Sequence, residues 1–209
     1  MKRVALFVNH PKCSIQSING IISALGNNKY KIFTKHEVED NFFDDVDIIC
    51  IPGGVGDADS YDYSLTRHAP AIRKHIDEGK KYIGICMGAY WADSLYLNIL
   101  PDVKIEQYII QPSTCTHRPH AKAMDIEWMG NKEKMYFYDG CTFKGSNFNT
   151  IASYPNGMPA VIIKDNIGLI GVHPESEEVW YHYHSWMKRH WHGGSHHDLL
   201  RDFVFNLVT

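Results

Sequence analysis

The chain has 209 residues, a formal net charge of −3 and 22% charged residues, enough for one domain with a large core. With no basic excess there is no electrostatic footprint for nucleic acid, which is excluded as a first expectation. No run approaches the ~18 apolar residues of a membrane span. The apolar run in MKRVALFVNHPKC is too short for a secretion signal. The five cysteines, Cys13, Cys50, Cys86, Cys115 and Cys141, are odd in number and lack CxxC spacing, so neither a disulfide framework nor a zinc knuckle is expected. A reduced, cytoplasmic setting is the simplest expectation.

In chain order, RVALFV (3–8) is β-rich and stops at Asn9 and Pro11. SIQSINGIISALG follows, with Ile15, Ile18, Ile21, Ile22 and Leu25 at helical spacing and Gly26 as a stop. YKIFTK (30–35) predicts a second strand. DIICIP (47–52) predicts a third, too uniformly apolar to have a solvent face, as in parallel sheets covered on both sides. The glycine-rich loop GGVGDADSYDY leads into SLTRHAPAIRKHIDEG, a helix with Leu65, Ala69, Ile72 and Ile76 on one face and Pro70 as its weak point. KYIGIC is the fourth strand, and GAYWADSLYLNIL (88–100) predicts a helix after it. From 101 to 164, short alternating segments (KIEQYII, MDIEWM, KMYFYD, AVIIK) predict antiparallel strands added to the sheet. IGLIGV (167–172) is another buried-type strand, and HHDLLRDFVFNLV a closing helix. The alternation predicts one α/β domain over 1–209, a mostly parallel sheet with helices on both faces.

Three segments fall beyond strand ends, where an open α/β sheet places its ligand. They are Pro52-Gly53-Gly54, Gly84-Ile85-Cys86-Met87-Gly88, and His173-Pro174-Glu175. A strand turning abruptly into a helix with a nucleophile at its tip needs small neighbours, which Gly84 and Gly88 supply around Cys86. A thiol also needs a base or a helix amino terminus to act as a thiolate. His173 is the expected base and Glu175 its orienter. The N–H groups of Met87 and of the Gly53-Gly54 turn, Gly54 in particular, are the expected oxyanion hole. Gly53, Gly88 and Tyr90 are the expected substrate-facing positions. Taken singly, each has a bland reading: a silent core cysteine, a common His-Pro turn, a tight connection. Together, at strand ends, they point to nucleophilic attack on an acyl carbon.

PGG, GICMGAY and GVHPE together resemble the class I glutamine amidotransferase-like superfamily, which pairs a GxCxG elbow with a late HxE. GICMGAY and the block IASYPNGMPAVIIKDNIGLIGVHPES resemble, within it, the amidotransferase-like amino-terminal domain of biotin-protein ligases and its free-standing bacterial relatives. The resemblance implies a flavodoxin-like three-layer α/β/α sandwich with Cys86, His173 and Glu175 as triad. It implies no cofactor, a small amide-bearing substrate, and a separately encoded ligase or synthetase as partner. Tyr90 stands where glutamine-using members carry Gln, so glutamine itself is not carried over. No GRGRxG-type loop is present, so biotinylation by this chain is not expected.

The stretch WYHYHSWMKRHWHGGSHH adds Tyr181, His182, His184, His190, His192, His196 and His197. His182-x-His184 and His192-x3-His196 have spacings that ligate transition metals, but no carboxylate or cysteine completes a set at helical spacing. A half-buried aromatic surface is the competing reading, and no metal is expected. Asp57, Asp59 and Asp62 either select a cationic ligand or cap the next helix. Tyr61, Tyr63, Tyr90 and Trp91 either wall a pocket or fill the core. The leading expectation is a cysteine-dependent C–N hydrolase or amidotransferase; the rival is a binding or regulatory module of the same fold without turnover. A protease or deglycase of this fold class would place its histidine or acid beside the elbow rather than in a late HPE.

Overall fold

A computed structural model describes residues 1–9, 11–37, 39 and 41–208. The first strand, β1 (Arg3–Phe7), is buried from Val4 to Phe7. It feeds α1 (Ile15–Leu25), which Ser14 caps by accepting from the Ser17 N–H and Gly26 ends at φ 58°. Strands β2 (Lys29–Phe33) and β3 (Ile48–Ile51) follow, both parallel to β1. The expected helix over 64–79 is divided. A 3-10 turn over Ala58–Tyr61 leads to α2 (Asp62–Leu65), a second 3-10 turn spans Thr66–His68, and α3 (Ala69–Asp77) follows. Pro70 sits in the first turn of α3, where its missing N–H costs nothing, so it starts a helix rather than interrupting one.

Strand β4 (Lys81–Ile85) runs parallel to β3, and α4 (Met87–Tyr90) is a single turn. The predicted helix over 88–100 is therefore corrected. Asp93 accepts from the backbone N–H of Leu95 and from the Ser94 hydroxyl, and Asn98 takes φ 51°, so the side chain bonds the backbone in turns instead of a helix.

The antiparallel section comprises β5 (Val103–Gln107), β6 (Lys122–Trp128), β7 (Asn131–Phe137), β8 (Cys141–Gly145), β9 (Asn149–Ser153) and β10 (Pro159–Lys164). Then come β11 (Ile167–Ile170), α5 (Glu178–His182) and α6 (Ser195–Val208). Among the described residues nine strands form one sheet in the order β2-β1-β3-β4-β11-β10-β9-β6-β7, the first five parallel. Among the described residues β5 pairs only with β8, in a separate ribbon, so the segment around KIEQYII does not extend the sheet as expected.

Helices cover both faces. A Cβ on Gly168 would strike Phe203 of α6, whereas one on Gly84 would strike the backbone of α4. Gly168 pairs with Ile83, whose side chain lies on the opposite face from that of Gly84, so α6 and α4 lie on opposite faces. The strand order changes direction at β1, and the segments after β1, β3, β4 and β11 gather at that end of the sheet. No helix among the described residues is long and apolar enough to cross a membrane.

Candidate active site

Cys86 follows β4 directly at φ 50° and ψ −103°, a conformation that L residues rarely adopt and that costs of order 1–3 kcal/mol. The surroundings hold it there. Its N–H donates to the Ile170 carbonyl at 2.7 Å, and its carbonyl accepts from Ala89 and Tyr90. A Cβ on Gly88 would lie 2.0 Å from the Ile51 oxygen, and one on Gly84 2.3 Å from the Gly88 oxygen. The elbow closes only with glycine at both places. Gly88 is thus buried under the elbow, and it is not among the residues that line the cavity over Cys86. Because α4 is one turn, its dipole is small and electrostatic help for the sulfur must come from elsewhere.

His173 lies three residues beyond β11, anchored by its N–H donating to the Tyr136 carbonyl at 2.9 Å. Its Nδ1 donates to Glu175 Oε1 at 2.9 Å, which leaves Nε2 for a partner on the other side of the ring. The same carboxylate oxygen accepts from Ser17 Oγ at 2.7 Å, and that hydroxyl accepts from the Gly53 N–H at 3.1 Å. Ser17 therefore joins the acid to the glycine turn. Burial works to lower the His173 pKa, but the Glu175 charge, then the charge and hydrogen bond of Cys86, raise it to about 10. On its own side, Cys86 Sγ lies 4.0 Å from the Tyr138 carbonyl oxygen, to which it donates.

Gly53 and Gly54 are held by a short antiparallel bridge to Cys13. Ser14 N–H donates to the Gly53 carbonyl at 3.0 Å and Val55 N–H to the Lys12 carbonyl at 2.7 Å. This pattern turns the Gly54 N–H away from its bridge partner. Neither it nor the Met87 N–H donates to another described residue. A Cβ on Gly54 would come within 2.9 Å of Met87 Cγ, so the two residues are immediate neighbours.

A cavity of about 570 Å³ opens over these groups, lined by Cys86, His173, Gly53, Gly54, Met87 and Tyr90 among others. Of the other aromatics named from the sequence, Tyr61 is fully buried and donates to the Gly53 carbonyl. Trp91 is also buried, donating to Ala58 O, and Tyr63 points to solvent. The actual aromatic wall adds Tyr136, Tyr138 and Trp180, with the Trp180 and Tyr136 rings edge-on to His173. The sequence offered no signal for these, because Tyr136 and Tyr138 reach the site through the antiparallel strand β7 and the residues after it, and Trp180 through the short helix α5. Ser17 did leave one: a hydroxyl on the apolar stripe that carries Ile21 and Ala24.

Asp57 lines the cavity, while Asp59 accepts from Tyr96 and Asp62 opens α2. Asp139, not singled out in the sequence, lines it as well. Tyr90 donates to the Asp139 carbonyl at 3.5 Å, and burial pushes its phenol pKa up.

The histidine-rich stretch forms an aromatic layer. His192 and His196 stack with centroids 4.0 Å apart, His192 and His197 bond the Ser176 carbonyl, and His196 bonds Glu133. Burial pushes His192 down to about 3 and His196 to about 4. No group of three or more His, Cys, Asp or Glu placed to hold a metal occurs among the described residues. Of the remaining cysteines, Cys13, Cys50 and Cys141 are buried thiols whose pKa burial raises.

No protein-family model matches the sequence, and no curated protein is similar to it. Solved structures do match. A glutamine amidotransferase from Thermotoga maritima is 12% identical, with a TM-score of 0.72 over 99% of this chain and 98% of that one. PurLQS from Thermotoga maritima is 16% identical, with a TM-score of 0.62 over 99% of this chain and 100% of that one. A glutamine amido transferase from Methylobacillus flagellatus is 11% identical, with a TM-score of 0.57 over 87% of this chain and 73% of that one. At such identities the likeness is one of architecture: the chain has the flavodoxin-like α/β fold of the glutamine amidotransferases.

Proposed function

We propose that the protein is a cysteine-dependent hydrolase or amidotransferase acting on an amide C–N bond. The supporting observation is the convergence on one cavity of Cys86, held in a strained elbow, and of His173, bonded to buried Glu175. In this reading the Cys86 sulfur attacks the amide carbon, and the carbonyl oxygen takes up the displaced electron pair between the Met87 and Gly54 N–H groups. Each such donor is worth about 2.7–4 kcal/mol in acyl transfer. As the C–N bond breaks, His173 protonates the departing amine. Water, or a second amine, then attacks the thioester carbon and gives a proton to His173; the C–S bond breaks, releasing the acid or the new amide and restoring the thiolate beside protonated His173. His173, which retains its proton to about 10, serves as counter-charge to the thiolate and as the acid.

The narrower likeness to the amidotransferase-like domain of biotin-protein ligases, and a separately encoded ligase or synthetase as partner, belong to the same proposal. A second reading, a binding module without turnover, draws on the Tyr138 carbonyl beside the sulfur, an oxygen that suits a thiol better than a thiolate.

Alkylation by iodoacetamide at pH 7, read peptide by peptide in a mass spectrometer, separates the two. Cys86 is expected to react at least about tenfold faster than exposed Cys115, and His173→Ala to remove that advantage. Equal rates at the two cysteines, unchanged by the substitution, would favour the binding module.

A further inference from the structure

We infer that the substrate is an amide whose chain carries a cation, an ammonium or guanidinium group, seated among aromatic rings and the carboxylates of Asp57 and Asp139. The inference rests on the proposed amide chemistry at Cys86 and names the class of molecule that brings the amide there.

Charge is the first argument. Among the described residues that line the cavity there is no lysine or arginine, and the one basic group is His173, already bonded to Glu175. Lys104 and Lys144, in the adjoining cavity of about 600 Å³, are both paired with Glu106. A free amino-acid amide brings an ammonium group but also a carboxylate, and that carboxylate would find no lysine or arginine here and two carboxylates of its own sign, so the class that fits carries a cation without a free carboxylate.

The carboxylates themselves are the second argument. Gln107 Nε2 donates to Asp139 Oδ1 at 2.7 Å, and no described residue donates to its other oxygen or to the carboxylate of Asp57. Burial raises the Asp139 pKa, Gln107 offsets part of this, and the charge of Asp57 adds to the rise. Both acids line the one cavity, and a cation bound between them would relieve the effect of the Asp57 charge on Asp139. Asp139 is also held in the left-handed region at φ 55°, with its backbone carbonyl tied to Tyr90, so its place in the wall is fixed.

The rings are the third. Tyr90, Tyr136, Tyr138 and Trp180 line the same space, and aromatic faces attract ammonium and guanidinium groups. At about 570 Å³ the cavity lies within the ~300–1,000 Å³ range of sites for ligands larger than a simple amide, which leaves room for a chain between amide and cation.

Protection of Cys86 from iodoacetamide tests this with three amides of similar length. They are N-acetyl-1,4-diaminobutane, a cation; N-pentylacetamide, neutral; and N-acetyl-4-aminobutyrate, an anion. The cation is expected to halve the alkylation rate at a concentration about tenfold below the neutral amide, with no protection by the anion. In Asp57→Asn/Asp139→Asn the advantage should vanish. If that pair of changes abolishes cooperative melting, Asp57→Asn alone, in the loop, should cut it about threefold. Protection by the neutral amide equal to that by the cation, an advantage that survives the substitutions, or no protection by any of the three would overturn the inference. The arm without ligand, in wild type and His173→Ala, reports separately on whether Cys86 is an activated nucleophile.

Discussion

Ser17 is the residue through which the acid and the glycine turn constrain each other, since one hydroxyl donates to Glu175 and accepts from Gly53. Ser17→Ala removes both bonds and leaves the buried Gly53 N–H without an acceptor. The expected cost is about 1–3 kcal/mol of folding stability, read from urea denaturation. Ser17→Cys, which keeps a weak donor and acceptor of similar size, should recover part of it. Cys86, His173 and Glu175 could be singled out in the sequence because they follow apolar, strand-like runs and carry reactive groups. The remainder of the wall could not, since Tyr136, Tyr138, Asp139 and Trp180 lie 50 to 94 residues beyond Cys86 and carry no local pattern. Gly88 illustrates the reverse error. Read as facing a ligand, it is small because the backbone of Ile51 leaves no room for anything else.

At the scale of elements, close approaches decide what the site tolerates. α1 crosses the loop after β11 so tightly that a Cβ on Gly20 would fall 1.9 Å from the Glu175 carbonyl oxygen. Gly20→Ala should therefore push the helix off the acid and cost about 3 kcal/mol, toward the upper end of overpacking changes. Thermal melting and urea denaturation would show it. Helical and strand periodicity predicted most elements around the parallel half: β1, α1, β3, β4, β11 and α6 lie where their apolar patterns put them. It failed over 88–100, where the apolar spacing is helical yet Asp93 diverts the backbone into turns. It also joined β5 to the main sheet, because alternation identifies a strand without naming its partner.

For the whole molecule, buried histidines set opposite pH dependences. His192, His196 and His75 are held by burial at about 3, 4 and 4, below the ordinary value near 6.5. In the unfolded chain they bind protons as pH falls through about 6.5, while in the folded chain they do not. Their neutrality therefore costs nothing above that pH and progressively destabilises the fold from about 6.5 down to 4. His173 acts the other way. Raised to about 10, it contributes stability that is fully present below about 6.5 and is lost as pH climbs toward 10. Urea midpoints should accordingly peak near neutral pH. His192→Phe should flatten the acid limb, and His173→Gln the alkaline one.

In the proposed chemistry Cys86 and His173 behave as one charged pair, and titration of the His173 imidazole by ¹⁵N NMR tests that most directly. In wild type the ring should keep the shifts of an imidazolium from pH 6 to 9, with a midpoint near 10, and Cys86→Ser should lower that midpoint by at least about one unit. A midpoint near the ordinary 6.5, unmoved by Cys86→Ser, would contradict the pairing and with it the proposed chemistry.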